Sequence, residues 1–466
     1  MEHYDIVVIG SGSGNTILDE DFADRRAAII DSGTFGGTCL NVGCIPTKMF
    51  VLPADLATSP SEAARLGVNL QFRGASFASI RDRIFGRIDP ISEAGFSYRQ
   101  GLENIDVYSD EAKFVDAYTL EVGDRRITAD QIVLAVGSRP RVPDVPGIDD
   151  PSRAGSIHTS DTIMRLAELP QRLVILGGGF IAAEFAHIFS GLGSQVTVIN
   201  RSGRMLRHED REISQRFTEQ IGRRVRLRMS EGLVGIDRDP GGHVVVLSVD
   251  GDGVDYDYPA DVVLNATGRV PNGDRLNLSA AGVDVDDDGY VVVDEHQRTN
   301  VEHIYAIGDV TAKLQLAHVA EAQGVVAAET IAGVETQLLG DYMNMPRATF
   351  CNPQVASFGY TEEAAKEKFA DRDIKVATFP FSANGKAVGL NETAGFGKLV
   401  ADAEFGEILG CHLVGANVSE LMPEVVLAQR FDLTAGEIAR SIHIHPTLPE
   451  VIKEIAHGVE GHMINL

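Results

Sequence analysis

An α/β fold is predicted by three observations: a glycine-rich turn closing the strand DIVVIG at residues 5–10, a second closing RLVILGGG at 172–179, and a change of pattern near residue 341. Each turn follows a buried β-branched run and precedes an expected helix, which marks two Rossmann-like dinucleotide-binding domains. Beyond residue 341, strands such as GKLVAD and ILGCHLVG alternate with helical segments such as SELMPEVVLAQRF and read as a separate α+β domain.

With 466 residues the chain is long enough for about three domains, and its 44% apolar and 23% charged content is ordinary for a globular protein. A formal charge of −26, with clusters such as Asp284 to Asp288, disfavours nucleic acid and anionic lipid as partners. The opening MEHYDIVVIG lacks a basic leader, and no apolar run of about 18 residues occurs, so a cytoplasmic protein without membrane partners is expected. No metal site is predicted. In a reducing compartment, the close pair Cys39 and Cys44 reads as catalytic rather than structural.

In the first turn, Gly10 and Gly12 admit the close approach of a pyrophosphate to backbone N–H groups at a helix N-terminus, with Gly14 beside them. Asn15 stands where a third small residue is usual and is expected to push helix and strand slightly apart. Asp31, ending the strand AAIID, is placed to accept both hydrogen bonds of a ribose diol. The second turn keeps Gly177, Gly179 and Ala182, but its following strand ends in Asn200 rather than an acid, with Arg201, Arg204 and Arg207 after it. Without a carboxylate to repel it, and with guanidinium groups to bind it, a ribose 2′-phosphate is welcome there. NADPH is therefore expected, with NADH as the alternative, and an acid installed at position 200 should favour NADH. Between the two units, Pro140, Pro143 and Pro146 suggest a hinge.

The segment FGGTCLNVGCIPTK places the two cysteines about a helical turn and a half apart, near enough to pair. A thiolate at a helix N-terminus is stabilised by the dipole and by a nearby cation, for which Lys48 is the candidate. Gly36, Gly37 and Gly43 suggest a backbone held close to a flat ligand.

Together with GGGFIAAEFA, ATGRVPN, HIYAIGDV and HPTLPE, that segment resembles the glutathione reductase and dihydrolipoamide dehydrogenase family over nearly the whole chain. The resemblance implies an FAD-dependent pyridine nucleotide:disulfide oxidoreductase acting as an obligate homodimer on a small-molecule disulfide or dithiol. It implies an FAD domain at 1–145 and 268–340, an NAD(P)H domain at 146–267 and a dimerisation domain at 341–466. Cys39 matches the interchange thiol, Cys44 the thiolate facing the flavin, and Lys48 with Glu184 an ion pair beside it. Asp309 matches the acid on the ribityl chain; Gly37, Thr38, Gly137, Gly268, Ala317 and His318 complete the expected cofactor contacts. His445 and Glu450 match an acid/base pair supplied by the partner subunit, with His443 as a competitor.

Residues 1–300 resemble mycothione reductases in GSGSGNTILDE and SDTIMRLAELP, whereas residues 300–466 resemble dihydrolipoamide dehydrogenases in LQLAHVAEAQG and GHMINL. Reduction of a low-molecular-weight thiol disulfide, mycothione, is the expectation. Dihydrolipoamide oxidation with a lipoyl-bearing protein partner is the alternative, and a non-catalytic place in a multienzyme complex is a further one.

Overall fold

The computed structural model describes residues 1–153 and 155–465. Its first sheet is centred on the strand Glu2–Ile9, which runs parallel to Ala27–Ile30 on one side and Arg125–Leu134 on the other. Ile105–Tyr108 extends it beyond Ala27–Ile30. On the far side of Arg125–Leu134, the C-terminal end pairs with Ile304–Ala306 and the N-terminal end with Thr119–Val122. Ala112–Phe114 closes the edge. The register aligns Ile30, Ile9, Leu134 and Ala306 in one row, so four strands end along a single edge. The loops leaving that edge are where an α/β sheet binds its ligand.

The second sheet repeats the arrangement with five parallel strands, in the order Arg226–Met229, Gln195–Asn200, Arg172–Leu176, Val262–Asn265 and Ile157–Thr159. A three-stranded antiparallel sheet, Glu231–Arg238, Val244–Asp250 and Asp255–Ala260, shares a core with it through Val174, Leu176, Ile236 and Val246. The C-terminal domain is a five-stranded antiparallel sheet in the order Arg347–Thr349, Gln354–Gly359, Ile408–Gly415, Phe396–Asp402 and Ile374–Pro380. The helices Val418–Arg430 and Glu450–Val459 bury Leu421, Met422, Val425, Val451, Ile452 and Ile455 in its core. No helix among the described residues is long and apolar enough to cross a membrane.

Three local expectations are corrected. The segment after Gly12 is not an α-helix but two short 3-10 turns, Ser13–Ile17 and Glu20–Phe22. The run SGNTILDED is poor in helix formers, and the Asp19 side chain caps the second turn by accepting from Asp21 N–H. Arg99, from the helix Phe77–Gln100, bonds the carbonyls of Asn15 and Leu18 at 2.7 and 2.8 Å, taking up acceptors that a continuous helix would have paired internally. Close packing on the sheet falls to Gly14, where a Cβ would collide with that of Ala135, so Asn15 does not act as a wedge. Pro140 lies in a paired ribbon, Ser138–Pro140 against Arg269–Pro271, rather than in a free hinge.

Candidate active site

Gly10 and Gly177 sit at matching places after parallel strands of the two sheets, with φ of +111° and +113°. A Cβ at Gly10 would run into the Ala135 carbonyl and one at Gly177 into that of Ala266, so only glycine lets either chain turn this tightly beside the neighbouring strand.

At the first turn the loops enclose a cleft of about 540 Å³ lined by Gly10, Gly12, Gly14, Asp31, Gly37 and Thr38 together with Gly137, Asp309 and Ala317. Cys39, Cys44, Lys48 and Glu184 line the same space. Asp31 is already engaged, accepting from Ser11 N–H and hydroxyl at 2.8 and 2.5 Å and from Gly33 N–H at 2.8 Å. Asp309 accepts from the Ser138 hydroxyl at 2.6 Å. A cleft that joins a glycine turn suited to a pyrophosphate with a pair of thiols fits a dinucleotide carrying a redox-active ring.

Two expected contacts are not brought to this cleft. His318 is exposed and bonds the Pro346 carbonyl at 2.8 Å, because it lies one position, about 100° of helix, past the lining Ala317. Gly268 is replaced at the wall by its neighbour Arg269, whose guanidinium bonds the Ser138 hydroxyl and carbonyl, both at 2.7 Å, and lies 3.9 Å from Asp309. Sequence reasoning missed Arg269, Ser138, Asp161 and Phe180, all of which line the cleft. A charged residue shortly after a buried strand and before Pro271 was the available signal for Arg269.

The cysteines do not share one helix. Gly37–Asn41 forms a short helix bearing Cys39; Val42 and Gly43 break it, and a 22-residue helix starts at Cys44. A Cβ at Gly43 would press on the Thr38 carbonyl at 2.8 Å, which is how the break brings the two residues together. Both thiols are free. The hydrogen bond from the Cys39 thiol, helped by Lys48 one turn along, outweighs burial and pulls Cys44 down to about 7. The same bond, with burial, pushes Cys39 up. With both cysteines reduced, Cys44 is therefore the more acidic of the pair and Cys39 the one that keeps its proton. Lys48 Nζ meets both oxygens of the buried Glu184 at 3.0 Å, and Phe350 N–H donates to Glu184 Oε1 at 2.9 Å. Because a thiolate alkylates and a thiol does not, iodoacetamide labelling of Cys44 in the reduced Cys39→Ser protein should rise through an apparent pKa near 7. A midpoint near that of free cysteine would remove Lys48 and the position-39 donor as its cause.

His445 and Glu450 lie outside the cleft of their own chain. His445 Nδ1 donates to Glu450 Oε1 at 2.9 Å, and its side chain is 77% exposed. Burial pushes the Glu450 carboxyl up, but the Thr447 N–H and the His445 ring overcome it and hold it below the usual carboxylate range. His443, the competitor, is 7% exposed, with its ring nitrogens taken by Glu424 at 2.7 Å and the Ser441 carbonyl at 3.2 Å.

At the second turn, Gly179 caps the helix Phe180–Leu192, on which Ala182 is buried. Arg201 and Arg207 are exposed on the following loop. Asn200 instead turns inward, its amide donating to the carbonyls of Ser202 and Arg204 at 3.2 and 3.0 Å. A glutamate there would lose both donors and face two carbonyls, so the expected gain in NADH use from Asn200→Glu is not supported by this geometry.

Residues 4–324 match the family described as pyridine nucleotide-disulphide oxidoreductase, and residues 345–456 match its dimerisation domain. The chain belongs to this family. It is 47% identical over 483 residues to a dihydrolipoyl dehydrogenase of Corynebacterium glutamicum, covering 100% of this chain and 99% of the relative. It is 43% identical over 473 residues to a mycothione reductase of Mycobacterium tuberculosis, covering 98% and 100%. Among solved structures, the Cu(II) complex of the HOCl-induced flavoprotein disulfide reductase RclA from Escherichia coli superposes with a TM-score of 0.86 at 28% identity, covering 98% of this chain and 100% of that one. This pyridine nucleotide-disulphide oxidoreductase is accordingly a flavoprotein enzyme using FAD and a nicotinamide.

Proposed function

We propose that the enzyme works in the cytoplasm as a homodimer, taking electrons from NADPH and reducing a low-molecular-weight thiol disulfide, mycothione. Residues 1–145 and 268–340 are assigned to FAD, 146–267 to NADPH and 341–466 to dimerisation. Bound FAD supplies the relay of two electrons from the nicotinamide to the Cys39–Cys44 disulfide. Cys39 then needs a base, since its thiol is pushed up. His445 of the partner subunit takes that proton, and the Cys39 thiolate attacks the substrate disulfide. The first product leaves as a thiolate and is protonated by the same imidazolium. The Cys44 thiolate attacks the Cys39 sulfur of the mixed disulfide, which restores the Cys39–Cys44 bond and expels the second product as a thiolate that takes its proton from solvent.

The coenzyme loop carries this reading: its strand ends in an amide, and Arg201 and Arg207 are exposed beside it. Charge-assisted contacts are worth about 1.5 to 3 kcal/mol each, so Arg201→Ala/Arg207→Ala should lower kcat/KM for NADPH by roughly two or more decades and leave NADH nearly unaffected. Equal use of NADH and NADPH by the unmodified enzyme would defeat it. The 47% identity to a dihydrolipoyl dehydrogenase favours a second reading, oxidation of a dihydrolipoyl group on a partner protein with NAD. Steady-state rates with mycothione, lipoamide and glutathione disulfide, each with NADPH and NADH, separate the two.

A further inference from the structure

The loop over residues 201–209 is fixed at several points. Asn200 holds its start, and Leu206 N–H donates to the Gly178 carbonyl at 2.7 Å. Leu206 is buried in a left-handed conformation, φ 51°, which a side chain bearing a Cβ adopts only where its surroundings over-determine it. Arg207 follows it directly, so Leu206 sets where that guanidinium goes. Glu209 N–H bonds back to the Leu206 carbonyl at 2.9 Å, so the position of Glu209 bears on Leu206.

What holds Glu209 belongs to another domain. Arg347, on the first strand of the C-terminal sheet, grips its carboxylate with Nε at 2.9 Å and a terminal nitrogen at 3.2 Å, the two side chains being 19% and 11% exposed. The next residue, Asp210, caps the helix Arg211–Ile221 and meets Lys398 Nζ at 3.1 Å, both side chains being 2% exposed. Lys398 also reaches Glu212 at 2.8 Å and Glu362 at 2.7 Å. None of Arg347, Lys398, Glu209 and Asp210 lines the cysteine cleft.

We propose that Arg347 and Lys398 are positioning residues for coenzyme recognition, holding Glu209 and Asp210 so that Leu206 keeps its conformation and Arg207 its aim. This rests on reading the loop as the site of the ribose 2′-phosphate. A displacement of about 1 Å at such a site costs up to about 100-fold, so Arg347→Met and Glu209→Gln should each raise the Kd for NADP⁺ and the KM for NADPH by about 10- to 100-fold, with kcat at saturation nearly retained. Kd is read by titration calorimetry on the FAD-loaded dimer, and a bridge serving only as domain glue would move the melting temperature without it. Glu209→Arg/Arg347→Glu, which reverses the pair, should recover most of the affinity; no recovery would remove the ion pair as the cause. If Arg347→Met does not fold, Glu209→Gln carries the test. An unchanged Kd in these variants, with Arg201→Ala/Arg207→Ala raising it, overturns the anchor and spares the coenzyme reading. An unchanged Kd in all of them sinks both.

Discussion

Cys39→Ser and Cys44→Ser are expected to abolish disulfide reduction, each by roughly 10³-fold or more, while giving opposite spectra. A serine at 39 cannot form the mixed disulfide, but its hydroxyl can still donate to the Cys44 sulfur, and Lys48 remains one turn away. Cys44 therefore stays a thiolate in the oxidised Cys39→Ser protein, and a long-wavelength charge-transfer band to the flavin is expected without any reductant. In Cys44→Ser the sulfur assigned to the flavin is gone, and burial still disfavours ionisation of the Cys39 thiol, so no band should appear even after two-electron reduction. Acidification should bleach the band of Cys39→Ser through about pH 7, because the depressed group is charged above its pKa and protonated below it. Exchanged spectra would mean that the two roles are assigned backwards.

The parts of this site that were legible in the sequence are those in which local chemistry leaves a local mark. A strand that must turn beside its neighbour needs glycine, so Gly10 and Gly177 announce the two nucleotide turns. CLNVGC and IHIHPTLPE carry their functional side chains within a few positions of one another. The helix break at Val42 and Gly43 was less legible, since it depends on Gly43 packing against the Thr38 carbonyl. So were the 3-10 turns after Gly12, which draw on Arg99 more than 80 positions along the chain. The ion pairs that tie the C-terminal domain to the coenzyme loop left no trace: Arg347 meets Glu209 across 138 positions, and Lys398 meets Asp210 across 188. Asn200 shows the opposite failure, because its identity suggested a coenzyme contact while its amide is spent on the loop itself.

Mixing inactive Cys39→Ser subunits with inactive His445→Ala subunits is expected to restore activity. In the heterodimer one site combines the altered Cys39 with the altered His445, and the other combines the two intact residues, so half of the sites work in a molecule whose parents have none. The basis is the separation of the pair within one chain. His445 is 77% exposed and absent from the wall of its own cleft, while Cys39, whose thiol needs a base, lies inside it. Glu450 fixes the ring through Nδ1, and Nε2 has no bond among the described residues, so under the proposed function Nε2 is the atom that would take the Cys39 proton. With equal amounts of the two variants and random exchange, about half of the dimers are mixed, and one intact site in each predicts about a quarter of wild-type activity. Recovery should follow the rate of subunit exchange, read in parallel by mass spectrometry of differently tagged chains. Exchange without recovery would place the base within the same chain as Cys39, and a search for it would begin at the cleft wall rather than at His445.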